Sequence, residues 1–306
     1  AMLSRGTSCS CDCTTVRCAH AWKRTDVTAL YGIFGWPVAH SRSPAMHNAA
    51  FAALGLDAVY APFAVPPDKL PAAVDAIRAL DIAGLNITLP HKASIIPMLD
   101  SVDAAALAIG AVNTVLRDGD RLLGTNTDAE GLARSLREAG VALSGANVIV
   151  LGAGGAARAT VVGLANAGAA RIVVAARRIG ESQALTALLA NACGSTQLVA
   201  LDLGPSLMRA AADCTLLIQA TSATLGARPG AVEFAEALPL GALPPHAVVC
   251  DLVYKPLRTA VLQRADAFGL RTVDGLGMLL HQGALAFELW TGQAAPLAVM
   301  RKALGF

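Results

Sequence analysis

The run Ala146-Asn147-Val148-Ile149-Val150-Leu151-Gly152-Ala153-Gly154-Gly155-Ala156-Ala157-Arg158-Ala159 decides the fold of this chain. Its first six residues are rich in β-branched side chains without alternation, the pattern of a strand buried on both faces. Glycines follow at the spacing G-x-G-x-x-[GA], ending on Ala157, and a helical stretch continues to about Ala167. Strand, glycine-rich turn and helix in that order make a dinucleotide cradle. The backbone turns sharply, approaches the pyrophosphate closely and offers free N–H groups at the helix N-terminus. The next strand, Arg171 to Ala176, ends in Arg177-Arg178, with no carboxylate until Glu181. An acid at that strand end would hold the ribose hydroxyls of NAD, whereas a guanidinium forks onto the 2′-phosphate of NADP. The pattern therefore points to NADP.

Working outward, the chain uses one grammar twice. Leu30 to Gly35, Ala58 to Phe63 and Ile82 to Thr88 read as strands. Between them lie helical patterns from Pro44 to about Leu54, with Ser43 as N-cap, and from Leu70 to Leu80. A helix from Asp128 leads into the glycine loop, and further strands are expected at Gln197–Asp202, Leu216–Ala220 and Val248–Val253. The last helices run from about Gly277 to Thr291 and from Pro296 to Leu304. Strands joined by crossover-length helices predict an α/β fold of two lobes. Each has a mainly parallel open sheet covered by helices, with the boundary in the Asp128–Val141 helix.

Composition narrows the ligands. At 306 residues the chain is long enough for two cores. It is 55% hydrophobic, yet Arg158, Asn166, Arg171 and several glycines break its most apolar stretch before it reaches a bilayer-spanning length. With 24 basic and 22 acidic side chains there is no global field to attract nucleic acid, so no nucleic-acid or membrane partner is expected. Cys9, Cys11, Cys13 and Cys18 crowd near His20 without the C-x2–4-C knuckles of structural zinc sites. Residues 1–29 are accordingly read as a disordered arm, with no metal site. No apolar core follows Arg5 to make a signal peptide, and the default location is the cytoplasm.

Three polar clusters sit where first-lobe strands end, the ligand-binding edge of an open α/β sheet. They are His40-Ser41-Arg42-Ser43-Pro44, Asn86-Ile87-Thr88-Leu89-Pro90-His91-Lys92, and Asn113-Thr114 with Thr125-Asn126-Thr127-Asp128. Hydroxyls, amides, a lysine and an aspartate suit a polyhydroxylated, weakly acidic molecule. Taken alone, Ser41, Ser43 and Asp128 also fit plain turn and N-cap roles.

The order of these motifs strongly resembles the shikimate dehydrogenase family. The resemblance is carried by Gly35-x-Pro37-Val38-x-His40-Ser41-x-Ser43-Pro44-x-Met46-His47-Asn48, by Asn86-x-Thr88-x-Pro90-x-Lys92 and by Gly110-Ala111-Val112-Asn113-Thr114. It continues through Asn126-Thr127-Asp128, the glycine loop, Asp251-Leu252-Val253-Tyr254-x-Pro256, Asp274-Gly275-x-Gly277-Met278-Leu279 and Gln282. It implies an NADP-dependent oxidoreductase acting on a CH–OH group, which reduces 3-dehydroshikimate to shikimate on the route to chorismate and the aromatic amino acids. By resemblance, Ser41 and Ser43 bind the substrate carboxylate, and Thr88, Asn113 and Gln282 bind its hydroxyls. Lys92 and Asp128 are the catalytic pair, and Tyr254 lies near the substrate. Gly152, Ala153, Gly154, Gly155 and Ala156 form the phosphate loop, with Arg177 and Arg178 beyond it, and Leu252 and Gly275 line the nicotinamide. The family's last helices return to the first lobe. This makes 30–128 with about 277–306 the substrate domain and 129–276 a Rossmann-type NADP domain, in a monomer or homodimer.

Two segments depart from the family pattern. Ala176-Arg177-Arg178 stands for Asn-Arg-Thr, with Glu181 where a further arginine is usual, and Gln219-Ala220-Thr221-Ser222 stands for Asn-Ala-Thr-Ser. The rival readings are an NAD-using quinate/shikimate dehydrogenase and a non-catalytic dinucleotide-sensing regulator. The paired serines and the absence of an acid at Ala176 oppose the first. The intact Lys92 and Asp128 oppose the second.

Overall fold

The computed structural model describes residues 27–226 and 228–306, so most of the Cys-rich stretch, with all four of its cysteines and His20, lies outside the described residues. In chain order the first half contains β1 (Ala29–Gly35), α1 (Ser43–Ala53), β2 (Ala58–Ala64), α2 (Leu70–Ala79) and β3 (Gly84–Ile87). It continues with β4 (Ser101–Val102), α3 (Ala104–Ile109), β5 (Thr114–Asp118), β6 (Arg121–Thr125) and α4 (Asp128–Glu138). The second half begins with β7 (Asn147–Leu151), α5 (Gly155–Asn166), β8 (Arg171–Ala176), α6 (Ile179–Leu189), β9 (Gln197–Asp202) and α7 (Pro205–Ala211). Then follow β10 (Leu216–Gln219), α8 (Ala231–Ala237), β11 (Val248–Asp251), α9 (Ala260–Ala267), β12 (Arg271–Val273), α10 (Leu276–Thr291) and α11 (Leu297–Leu304).

Two six-stranded sheets result. The first has the order β2-β1-β3-β5-β6-β4. β1 pairs in parallel with β2 and β3, and β4 with β6, while the β5–β6 hairpin brings antiparallel pairings with β3 and within itself. Sequence pattern did not announce that hairpin, because Arg117, Asp118, Asp120 and Arg121 around its turn interrupt any apolar run. The second sheet, β12-β11-β10-β7-β8-β9, is wholly parallel, and its order reverses between β7 and β10. That reversal is the switch point where doubly wound sheets bind dinucleotides.

Alternation along β7 shows why its run is apolar throughout. Val148 and Val150 face a core shared with α4 and α5, whereas Ile149 and Leu151 face the α7–α9 side. In the first sheet Tyr31, Ile33 and Tyr60 meet α1, α10 and α11, and Phe34, Leu85 and Ile87 meet α2. The chain therefore returns at its end: Leu280, Phe287, Trp290, Met300 and Leu304 complete the core of the first sheet.

Helix α4 sits between the halves. A Cβ on its Gly131 would lie 2.7 Å from the backbone nitrogen of Gln282 in α10. On its other flank, a Cβ on Gly163 of α5 would lie 2.4 Å from the Ala129 carbonyl oxygen. Backbone thus approaches backbone on both sides, and only glycine permits those distances.

His47 lies at the centre of the first core, fully buried and stacked on Tyr60 with ring centroids 4.5 Å apart. Neither ring nitrogen has a hydrogen-bond partner among the described residues, and burial pushes the imidazole down to about 3. Between that value and the ordinary one near 6.5, the unfolded chain binds a proton that the native state refuses, so stability falls as pH falls through this window. His47→Phe should remove that slope, about 1.4 kcal/mol per pH unit, as read from urea midpoints measured between pH 7 and pH 4.5.

Candidate functional site

At the carboxyl end of the first sheet, β3 leads into Thr88 and Lys92, β5 starts after Asn113, and β6 leads into α4 at Asp128. The Lys92 Nζ donates to Asp128 Oδ2 at 2.6 Å, and Asn113 Nδ2 donates to Asp128 Oδ1 at 2.8 Å. Asn113 is locked in turn. Its Nδ2 also reaches Thr127 Oγ1 at 2.9 Å, and its Oδ1 accepts from the Thr127 backbone at 2.8 Å. Asp128 does not cap its helix: Thr127 holds the N-cap position, and the N–H groups of Asp128 and Ala129 donate to Asn126 Oδ1. Both carboxylate oxygens are therefore free to hold a cation and an amide.

The lysine retains 27% side-chain exposure against 9% for the aspartate. The lysine side chain is thus the more accessible member of the pair, as a residue that gives a proton to a ligand must be. Ser43 also departs from the expected N-cap. Arg42 occupies that position, Ser43 lies within α1 and is buried, and its N–H donates to Ser41 Oγ at 3.3 Å. Thr88 is half-buried beside the β1 turn. Gln282 reaches the same region because Gly131 lets α10 lie against the first turns of α4, and its Nε2 bonds the Leu279 carbonyl at 2.8 Å. Tyr254, half-buried on the second half, feels the charge of Arg42, although burial dominates and raises its phenol above the ordinary value.

Beneath these residues lies a buried polar chain that the sequence reading did not single out. Tyr60 Oη donates to Asn86 Oδ1 at 2.8 Å, and Asn86 Nδ2 donates to the Asn113 carbonyl and to Thr114 Oγ1, both at 3.2 Å. Asn48 pairs both backbone groups of Tyr60, accepting at 2.8 Å and donating at 2.9 Å. Asn86 and Asn48 stand in quoted motifs. Tyr60 sits in an ordinary strand pattern and gives no local signal.

On the second sheet, Gly152 adopts φ +110°, and a Cβ there would lie 2.8 Å from Thr221 Cγ2. Among the described residues nothing lies within 4 Å of a Cβ built on Gly154 or Gly155, so the N-terminus of α5 is open there. A phosphate-bearing cofactor fits that opening, with Ala153 and Ala156 flanking it. Leu252 is positioned by its N–H bond to the Gln219 carbonyl at 3.0 Å, and a Cβ on Gly275 would lie 2.3 Å from the Leu252 oxygen. Arg177 and Arg178 are both exposed. Arg178 is taken up by Glu181, with Nε donating to Oε1 at 3.0 Å. The longer amide of Gln219 folds inward: it accepts from Thr221 N and donates to Thr224 Oγ1 at 2.9 Å and to Asp251 Oδ1 at 3.3 Å.

Comparison with known proteins assigns the family. Residues 33–115 match the shikimate dehydrogenase substrate binding domain, and residues 275–304 match the shikimate 5′-dehydrogenase C-terminal domain. A shikimate dehydrogenase (NADP(+)) of Symbiobacterium thermophilum is 48% identical over 278 residues, covering 90% of this chain and 92% of the relative. The chain belongs to the shikimate dehydrogenase family. Among solved structures of that fold, shikimate 5-dehydrogenase from Listeria monocytogenes, in complex with shikimate and NAD, superposes with a TM-score of 0.84 at 36% identity. The match covers 93% of this chain and 99% of that one. Quinate dehydrogenase from Corynebacterium glutamicum, in complex with NAD, gives 0.82 at 33% identity over 90% of this chain and 98% of its own. Among the described residues no helix is long and apolar enough to cross a membrane.

Within this family member, the Tyr60 hydroxyl is the donor that satisfies Asn86 Oδ1. Tyr60→Phe leaves Asn86 Oδ1 buried without a donor, which costs about 1–3 kcal/mol. A melting-point drop of several degrees is expected, whereas Tyr31→Phe, whose hydroxyl bonds nothing among the described residues, should melt close to wild type.

Proposed function

We infer that the chain catalyses the reversible NADPH-dependent reduction of 3-dehydroshikimate to shikimate, with Lys92 and Asp128 as the catalytic pair. The observation that carries this reading is a partly exposed lysine whose ammonium is bound at 2.6 Å to an enclosed aspartate, the second oxygen of which is held by Asn113. The NADP(+) designation of the 48% identical relative supports the cofactor. NADPH, when bound, supplies the hydride. As negative charge develops on the ketone oxygen, Lys92 Nζ donates the proton that completes the alcohol, because a donor must stand about 3 Å from that oxygen. Asp128 holds the ammonium in place and accepts from the neighbouring hydroxyl. In the reverse direction Lys92 receives the alcohol proton.

The remaining roles are those that the family resemblance assigns. Ser41 and Ser43 take the ring carboxylate at the start of α1, with Tyr254 reaching toward the same loop. Thr88, Asn113 and Gln282 take the hydroxyls. Gly152, Ala153, Gly154, Gly155 and Ala156 receive the pyrophosphate at the start of α5. Arg177, with Arg178 once released from Glu181, meets the 2′-phosphate, and Leu252 and Gly275 line the nicotinamide. Residues 30–128 with about 277–306 form the substrate unit and 129–276 the cofactor unit. This division is supported by strands β1–β6 making one sheet, β7–β12 the other, and α10 and α11 sharing a core with α1.

The test is oxidation of NADPH with 3-dehydroshikimate, run beside NADH and 3-dehydroquinate. Turnover with NADPH and 3-dehydroshikimate as the preferred pair is expected, and preference for 3-dehydroquinate would overturn the assignment. Lys92→Ala should lower kcat by at least 100-fold while changing the dissociation constant of shikimate only severalfold. Near-normal turnover of that variant at saturating substrate would remove Lys92 from the mechanism.

A further inference from the structure

Arg158 is the fourth residue of α5, one turn beyond the glycine loop. It lines a cleft of about 400 Å³ together with Ala153, Gly154, Glu181, Leu185 and Leu188. The side chain is half-buried, yet its guanidinium makes no hydrogen bond or ion pair among the described residues. The cleft's own carboxylate, Glu181, is occupied by Arg178. A cation partly removed from water without an anion is unfavourable, and an arriving anion reverses that cost.

The guanidinium also has a seat on the other sheet's side of the molecule. Gly110, the left-handed C-cap of α3 with φ +66°, lies beneath it, and a Cβ on that residue would come within 2.6 Å of Arg158 Nη1. Any side chain at position 110 would push the arginine off this turn. Three residues further on stands Asn113, which holds Asp128. One side chain therefore touches the start of the phosphate-loop helix and the turn that leads into the substrate site.

We propose that Arg158 binds a phosphate group of the dinucleotide and, through its seat on Gly110, ties cofactor binding to the turn that carries Asn113. The proposal rests on the NADP-dependent reading above. Two features favour an anion at this point. The open N-terminus of α5 presents free N–H groups and the positive end of the helix dipole, and the arginine adds a planar fork that matches phosphate oxygens. Lysine would supply the charge but not the fork.

Calorimetric titration of the full chain with NADP+, NAD+ and shikimate tests this for wild type, Arg158→Gln and Arg158→Lys. Arg158→Gln should weaken NADP+ about tenfold, with partial recovery in Arg158→Lys and melting points close to wild type. A parallel loss with NAD+ assigns the contact to the diphosphate; a loss confined to NADP+ assigns it to the 2′-phosphate. Shikimate alone should bind wild type and Arg158→Gln equally, while the severalfold tightening of shikimate by saturating NADP+ should shrink toward one in the variant. Unchanged NADP+ affinity in Arg158→Gln overturns the proposal, and an unchanged tightening factor overturns its link to Gly110. Wild-type chain that binds no NADP+ at all would instead overturn the functional reading on which the proposal stands.

Discussion

The contact on which the rest depends is the double backbone approach of α4, at Gly131 to α10 and at Gly163 of α5 to Ala129. Because no side chain intervenes, the helix that begins with Asp128 is held at fixed depth between the substrate sheet and the cofactor sheet. Its first residue, Asp128, meets Lys92, its fourth, Gly131, faces Gln282, and its apolar residues Leu132, Ala133 and Leu136 enter the core of the second sheet. Movement of this helix would disturb catalytic pair, substrate amide and cofactor lobe together. Close packing makes such elements stiff, which suits a site whose reacting atoms must be placed within a fraction of an ångström.

Polar groups buried around that helix are satisfied in a definite order. The Asn86 amide must direct its NH2 toward the Asn113 carbonyl, so its oxygen faces Tyr60, which has a single hydrogen to give. Asn86 thereby ties Tyr60 to the backbone carbonyl of Asn113, whose side chain separately holds Asp128. On the cofactor side Asp251 performs a similar service without any cation. It is fully buried, and it accepts from Thr259 at 2.7 Å, Thr224 at 2.9 Å, Val253 N at 3.0 Å and Gln219 at 3.3 Å. Burial raises its carboxyl while these donors pull it down. The cluster joins the loops after β10 and β11, and Gln219 is tied into it.

The remaining charged contacts divide by exposure. Glu138 of α4 binds His281 Nε2 at 2.9 Å and Arg301 at 2.6 Å, clasping both C-terminal helices, and Arg301 holds its carboxyl below the usual range. Arg178 with Glu181 lies at the surface, the arginine side chain 81% exposed, where ion pairs contribute little and yield readily to a stronger anion. The pair therefore keeps Arg178 beside the cofactor cleft without committing it.

Local sequence determined the glycine loop, the buried strands β7 and β8, the crossover helices and the membership of the substrate motifs. Each depends on residues near one another in the chain: β-branched runs, glycine spacing, a proline after a strand. It also determined that Lys92 and Asp128 would be few among sparse charges and therefore assignable. Tertiary structure alone decided that these two, 36 residues apart, meet at 2.6 Å, and that Ser43 enters its helix rather than capping it. The β5–β6 hairpin, the reach of Tyr60 to Asn86 and the seat of Arg158 on Gly110 belong to the same class. The physical reason is common to all of them. Helix crossings and sheet order bring together residues from distant parts of the chain, and neither hydrophobic period nor turn chemistry records which of them will touch.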